Sequence, residues 1–211
     1  MDVEQVRKMF LYVSEQMLNN IDLLTEIDSK IGDGDHGIGM EIGFSNVKKE
    51  LEKNSYEWIN DIFYDIGMTM LRVMGGASGV LFGTVFLSGI SKYQKKKEFT
   101  LFDFSNVFMR ATQALKERGK AQIGDKTMID ALEPAVTMLD KMAKEEKNLQ
   151  EGFICAANEA KKGMLYTKEC QARFGRAKYY GEKAIGYQDA GATSVFIIFQ
   201  SMSEWISKNV K

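Results

Sequence analysis

The chain has 211 residues, 45% hydrophobic and 27% charged, which suits one packed domain and excludes a largely disordered chain. Its 28 Lys and Arg against 29 Asp and Glu give a net charge of −1, which excludes a strongly basic nucleic-acid binder. No apolar stretch is long enough to span a bilayer, and Met1-Asp2-Val3-Glu4 lacks the basic start of a secretion signal, so neither membrane insertion nor export is expected.

The sequence holds one proline, Pro134, beside 19 glycines, and its apolar residues recur every three or four positions, so helices are expected rather than strands. Val3, Val6, Phe10, Val13, Met17, Ile21 and Leu24 trace one helix face. Further helices read through Met40 to Leu51, through Ile62 to Leu71, and from Gly79 through Leu81, Val85 and Leu87. Lys95-Lys96-Lys97 follows and reads as a solvated loop. Phe104 to Leu115, Met128 to Met142, Phe153 to Met164 and Thr193 to Ile206 complete the pattern. Pro134 is tolerable if it lies in the first two turns of its helix. The expectation is an all-α chain of about eight helices forming one domain over 1–211. Cys155 and Cys170, beside a single histidine, cannot build a four-ligand zinc site; they read as small buried hydrophobes in a reducing compartment, the cytoplasm.

The glycines gather where helices meet, five in 32–43, six in 67–89 and four in 175–191. Such joints let backbone N–H groups approach an anion. The first cluster, Gly32-Asp33-Gly34-Asp35-His36-Gly37, matches a dinucleotide fingerprint only formally, because a helix precedes it and acids fill its gaps. Asp28, Asp33 and Asp35 are instead hard oxygen ligands that suit Mg²⁺, or else turn and cap residues. His36 stands beside them in a polar loop and fits a place near the metal or a phosphate. Gly75-Gly76-Ala77-Ser78-Gly79 runs into an apolar helix, as an anion site at a helix N-terminus would, or as a tight helix corner would. Gly119 to Gly124 followed by Lys126-Thr127 resembles a P-loop but has no preceding strand. Gly175-Arg176 and Asp189-Ala190-Gly191 add a cation and another helix start. Together these parts suit metal-assisted phosphoryl transfer.

In order and spacing these motifs resemble the L subunit of dihydroxyacetone kinase along nearly the whole chain. The resemblance implies an antiparallel barrel of eight helices with ADP and two Mg²⁺ ions at one end. It implies that Asp28, Asp33 and Asp35 hold the ions. It further implies that His36, Gly37, Ile38, Gly39, Ala77, Ser78, Gly119, Met128, Arg176, Asp189, Ala190 and Gly191 surround the nucleotide, with Met128 near the adenine. No catalytic protein nucleophile is implied. A chain of this length resembles the phosphotransferase-system form, in which tightly held ADP takes phosphate from an M-type phosphohistidine protein. It then passes the phosphate to dihydroxyacetone on a separate K subunit. The alternatives are an L-type subunit using free ATP with another substrate chain, and a nucleotide-loaded regulator. Gly39, Val80, Tyr187 and Ala190 depart from the residues usual in the family, while the three acids, Ser78 and Arg176 conform to it.

Overall fold

The computed structural model describes residues 1–210, and among them nine α-helices form, with two 3-10 segments and no strand. The helices are α1 (Val3–Leu18), α2 (Ile21–Ile31), α3 (His36–Lys53), α4 (Ile59–Val73), α5 (Gly76–Ile90), α6 (Leu101–Gly119), α7 (Ile129–Lys144), α8 (Leu149–Tyr166) and α9 (Ala190–Asn209). Pro134 falls in the second turn of α7, which continues through it.

Eight helices close a ring. α1 packs on α3, each helix from α3 to α8 packs on the next, and α9 packs on α1. Neighbours run in opposite directions. Arg7 near the start of α1 donates to Leu51 O near the end of α3 at 2.8 Å, and Glu15 pairs with Lys48 at 2.9 Å. The ring interior is filled by phenylalanines meeting largely edge to face. Phe63, fully buried, touches Phe10, Phe86, Phe99 and Phe108 at centroid distances of 5.2 to 6.2 Å.

The ring has the expected eight helices, and a ninth stands outside it. The first apolar stripe does not form one helix through Leu24, because the chain breaks at Asn19-Asn20. Asn20 leaves helical geometry (φ −114°, ψ 13°), and its side-chain amide donates to Gln16 O at 2.7 Å. That local bond competes with helix continuation. The break frees α2 from the ring, and it lies outside against α3 and α9. Asp28 is thereby delivered, on the last turn of α2, to the end of the barrel where α3 begins.

The lysine run is solvated yet neutralised. Lys95, Lys96 and Lys97 pair with Asp61, Asp103 and Glu57 at 3.2, 2.6 and 3.3 Å. Cys170 is buried, Cys155 is half-buried, and both are free thiols. Among the described residues no helix is long and apolar enough to cross a membrane.

Candidate functional site

Ring antiparallelism puts the starts of α3, α5, α7 and α9 at one end of the barrel, with the end of α6 at Gly119 beside them. These termini surround a cavity of about 740 Å³, within the range of small-ligand sites. Four helix starts bring four positive dipole ends to one space. The start of α5 is the most open to an anion. Its cap is Gly75, with no side-chain acceptor, so the first-turn N–H groups of Gly76, Ala77 and Ser78 are left for a ligand or water.

All the sequence-derived candidates except Gly37 line the cavity. Gly37 is buried on the other side of α3, where a Cβ would come within 2.7 Å of Ile21 O on α2. It therefore permits close packing of α2 and α3 and does not face the cavity.

Asp28, Asp33 and Asp35 each offer an oxygen, and these atoms lie within 4.8 Å of one another. Burial, and then the neighbouring Asp33, push the Asp35 carboxyl above its ordinary pKa, while Arg176 opposes the shift. Three acids this close repel unless a cation sits among them. Among the described residues the one cation in contact is Arg176, whose guanidinium pairs with Asp33. Hard carboxylate oxygens at this separation fit a divalent ion such as Mg²⁺.

His36 has a different setting from the acids beside it. Its ring is buried, with Nε2 2.8 Å from Ser194 Oγ on α9 and Nδ1 3.5 Å from Ser78 Oγ on α5. Its backbone N–H donates to Asp28 Oδ2 at 3.3 Å. Burial lowers its pKa against the opposing pull of Asp28, which favours the neutral ring. His36 thus ties the starts of α3, α5 and α9 together.

Apolar side chains line the cavity as well. Ile38, Leu81, Phe82, Leu115, Met128 and Phe174 offer a surface suited to a flat aromatic group. The cavity therefore combines acids, Arg176 and free N–H groups with hydrocarbon.

The sequence motifs did not single out three contributors, Lys126, Phe174 and Ala177. Lys126, read only as part of a rejected P-loop, is 1% exposed and lines the cavity. Its Nζ donates to Thr167 O and Tyr187 O. Phe174 and Ala177, beside Arg176, extend the wall. The signal available for Lys126 was its place two residues before Met128, at a loop that opens a helix.

Asp189 caps α9 by accepting from Ala192 N–H at 2.7 Å. Burial raises its pKa to about 7, with nearby acids adding to the shift and Lys126 and the Ala192 N–H opposing it. The folded chain thus holds this proton more tightly than the unfolded chain, whose carboxyl titrates near 3.8. Stability of the ligand-free protein should therefore fall as pH rises from about 4 to about 7, and this contribution should level off above that. Asp189→Asn keeps an acceptor for the cap and removes the charge. It should be more stable than the parent by about 1–2 kcal/mol at pH 8, a figure discounted for water in the cavity, and should gain little near pH 4. Urea unfolding across this range checks it, and parallel curves for the two proteins would contradict the account.

The DAK2 domain family matches residues 30–204. The ADP-binding subunit DhaL of the PEP-dependent dihydroxyacetone kinase of Escherichia coli (strain K12) is 39% identical over 180 residues, 85% of this chain and 86% of that protein. The ADP-binding subunit DhaL of the PTS-dependent enzyme of Lactococcus lactis subsp. lactis (strain IL1403) is 34% identical over 194 residues, 92% of this chain and 93% of that one. Among solved structures, the dihydroxyacetone kinase from C. freundii in complex with AMP-PNP and Mg²⁺ superposes with a TM-score of 0.73 at 25% identity. That match covers 94% of this chain but 33% of the larger kinase, so the chain corresponds to about a third of it. On sequence and fold together, this chain belongs to the DAK2 domain family.

Proposed function

We propose that this chain is the ADP-binding subunit of a dihydroxyacetone kinase of the phosphotransferase-dependent kind. In that reading it works in the cytoplasm with an M-type phosphohistidine protein as donor and a K-type subunit carrying dihydroxyacetone as acceptor. The observation that carries the reading is the mixed lining of one cavity, which joins the acid cluster and the uncapped α5 start to hydrocarbon side chains. A nucleoside diphosphate with its divalent ions presents the same two kinds of surface. The relatives matched along most of their own length are named PEP- or PTS-dependent ADP-binding subunits, which supports this reading over direct use of free ATP.

The apolar wall, with Met128 and Leu115, would bury the base. N–H groups at the start of α5 would hold phosphate oxygens, and Ser78 Oγ stands in the same turn. Asp28, Asp33 and Asp35 would hold two Mg²⁺ ions, which neutralise phosphate charge and orient the phosphates for in-line transfer. A nucleoside diphosphate held there would supply a terminal phosphate oxygen as the phosphoryl acceptor and donor, with no protein nucleophile needed. Arg176, on an exposed loop beside the acids, is placed to add positive charge where the phosphoryl group passes. His36, neutral and bonded on both ring nitrogens, orients three helix starts and transfers no proton in this scheme. Close confinement by four helix starts and the acid cluster favours slow release of the nucleotide.

Mass spectrometry of the nucleotide released by denaturing the protein purified in Mg²⁺ tests this. ADP in near one-to-one amount is expected. A protein that carries no nucleotide and takes up none from millimolar Mg²⁺ and ADP would overturn the proposal.

A further inference from the structure

The segment between α8 and α9 crosses the cavity with little core of its own. From Lys168 to Tyr187 only Cys170, Ala172 and Ala184 are buried, the last two in a small cluster with Ile31 of α2. Its tip reaches the acid loop, where Arg176 pairs with Asp33 and Tyr180 Oη donates to Gly32 O at 3.5 Å. A loop so sparsely packed opens at low free energy unless its ends are fixed.

The ends are fixed at a neck. Gly186 N–H donates to Lys168 O at 2.7 Å, and Asp189 N–H donates to Thr167 Oγ1 at 3.0 Å. Between the two strands of the neck lies the buried ammonium of Lys126, which donates to Thr167 O on one side and Tyr187 O on the other. The same connection between α6 and α7 holds the first half of the loop. Arg173 N–H donates to Asp125 O at 3.2 Å, and the Arg173 side chain pairs with Asp125 at 3.3 Å. Removing the ammonium would leave Tyr187 O without a donor and Thr167 O with only the Cys170 N–H at 3.3 Å, a loss felt at the neck.

We infer that Lys126 is a positioning residue, pinning the neck of the 168–186 loop so that Arg176 is held over the acid cluster and Asp189-Ala190-Gly191 is held at the phosphate side of the cavity. The inference rests on the nucleotide reading above and adds how the loop is kept ready before the ligand arrives, so that little ordering cost falls on binding. Lys126 acts through Arg176 and the start of α9 and needs no contact with phosphate.

Lys126→Met, which keeps the aliphatic stem, tests it. In the ligand-free variant, amide hydrogen exchange at Arg173, Gly186 and Asp189 should rise tenfold or more, while amides in α4 keep their protection. Mg²⁺-ADP should bind at least tenfold more weakly by calorimetry. Arg176→Ala should weaken binding strongly in the parent but add little in the Lys126→Met background, because the arginine is already misplaced. Unchanged exchange in the loop, or an equal fold-loss from Arg176→Ala in both backgrounds, would overturn the inference. If Lys126→Met does not fold, Gly186→Ala carries the same test. Gly186 has φ +94° with open space at its Cβ, so alanine strains the neck and touches nothing else. It should show the same exchange pattern and a severalfold loss of affinity, and parental exchange and affinity would count against the role of the neck. A parent chain that binds no Mg²⁺-ADP would defeat the nucleotide reading, while the exchange arm still decides whether Lys126 holds the loop.

Discussion

Asp28→Asn is expected to weaken Mg²⁺-dependent ADP binding by a factor of one hundred or more while leaving the ligand-free protein as stable as the parent or slightly more so. Asp28 stands on the last turn of α2, where the negative end of the helix dipole adds to the repulsion from Asp33 and Asp35. Asp33 has a partner in Arg176, whereas the Asp28 carboxylate is met by a single backbone N–H, that of His36. Asparagine can still accept that hydrogen bond, so the local fold is kept. What is lost is one anionic ligand in a cluster whose oxygens lie within 4.8 Å, and a hundredfold loss corresponds to about 2.7 kcal/mol. Calorimetric titration with ADP in excess Mg²⁺ measures the affinity, and urea unfolding without ligand measures the stability. An unchanged affinity would remove the metal from the account. An affinity loss matched by an equal loss of ligand-free stability would make Asp28 a structural residue.

Stripping metal and nucleotide should lower the melting temperature by about 5–10 °C. Four helix starts, the α2–α3 acid loop and the 168–186 loop all reach the cavity, so a ligand there binds the folded chain and has no counterpart in the unfolded one. Ligand at a hundredfold excess over its Kd adds about 2.7 kcal/mol, and a domain of this size shifts by about 2–4 °C per kcal/mol. Scanning calorimetry with and without a chelator, followed by dialysis and restoration of Mg²⁺ and ADP, reads the effect in both directions. Superimposable scans would show that nothing tied to the cavity stabilises the fold. A fall that Mg²⁺ alone restores would assign the stabilisation to the acid cluster without a nucleotide.

Most of the barrel was legible because its helices bury one face, and burial imposes the period of three and four on the sequence. The exception at Asn19-Asn20 shows the limit. Met17, Ile21 and Leu24 keep the period across the break, so the apolar pattern alone cannot reveal that α1 and α2 are separate; the paired asparagines were the available sign. Starts of helices were less legible than their middles. α3 begins at His36, ahead of its first large buried apolar residue, Met40, and α5 begins at Gly76, ahead of Phe82, because their glycine-rich first turns pack no large side chain into the core. The acid cluster and the glycine-rich turns could be found in sequence since their residue types are tied to ligand and phosphate chemistry. Gly37 could not be sorted from them. A glycine that admits a neighbouring helix looks the same in sequence as one that admits a ligand. Lys126 was hidden for the opposite reason, since a lysine in a polar loop reads as solvated, and its burial depends on carbonyls supplied some forty and sixty residues later. The loop between α8 and α9 buries little and has no period, so its place at the cavity was legible only through the resemblance that puts Arg176 at the nucleotide, and the Arg176–Asp33 pair could not be anticipated.

The central claim is that nucleotide bound in this cavity stays in place while phosphate passes over it. It is tested by loading the protein with base-labelled ADP and adding a phosphohistidine M-type protein labelled on phosphate. A K-type subunit with dihydroxyacetone is then added, and both labels are followed after rapid gel filtration. The account predicts that the phosphate label moves to dihydroxyacetone phosphate, passing through protein-bound ATP, while the base label remains with this chain over many turnovers. Loss of the base label at the rate of product formation, with turnover sustained by free ATP in the absence of the M-type protein, would contradict it.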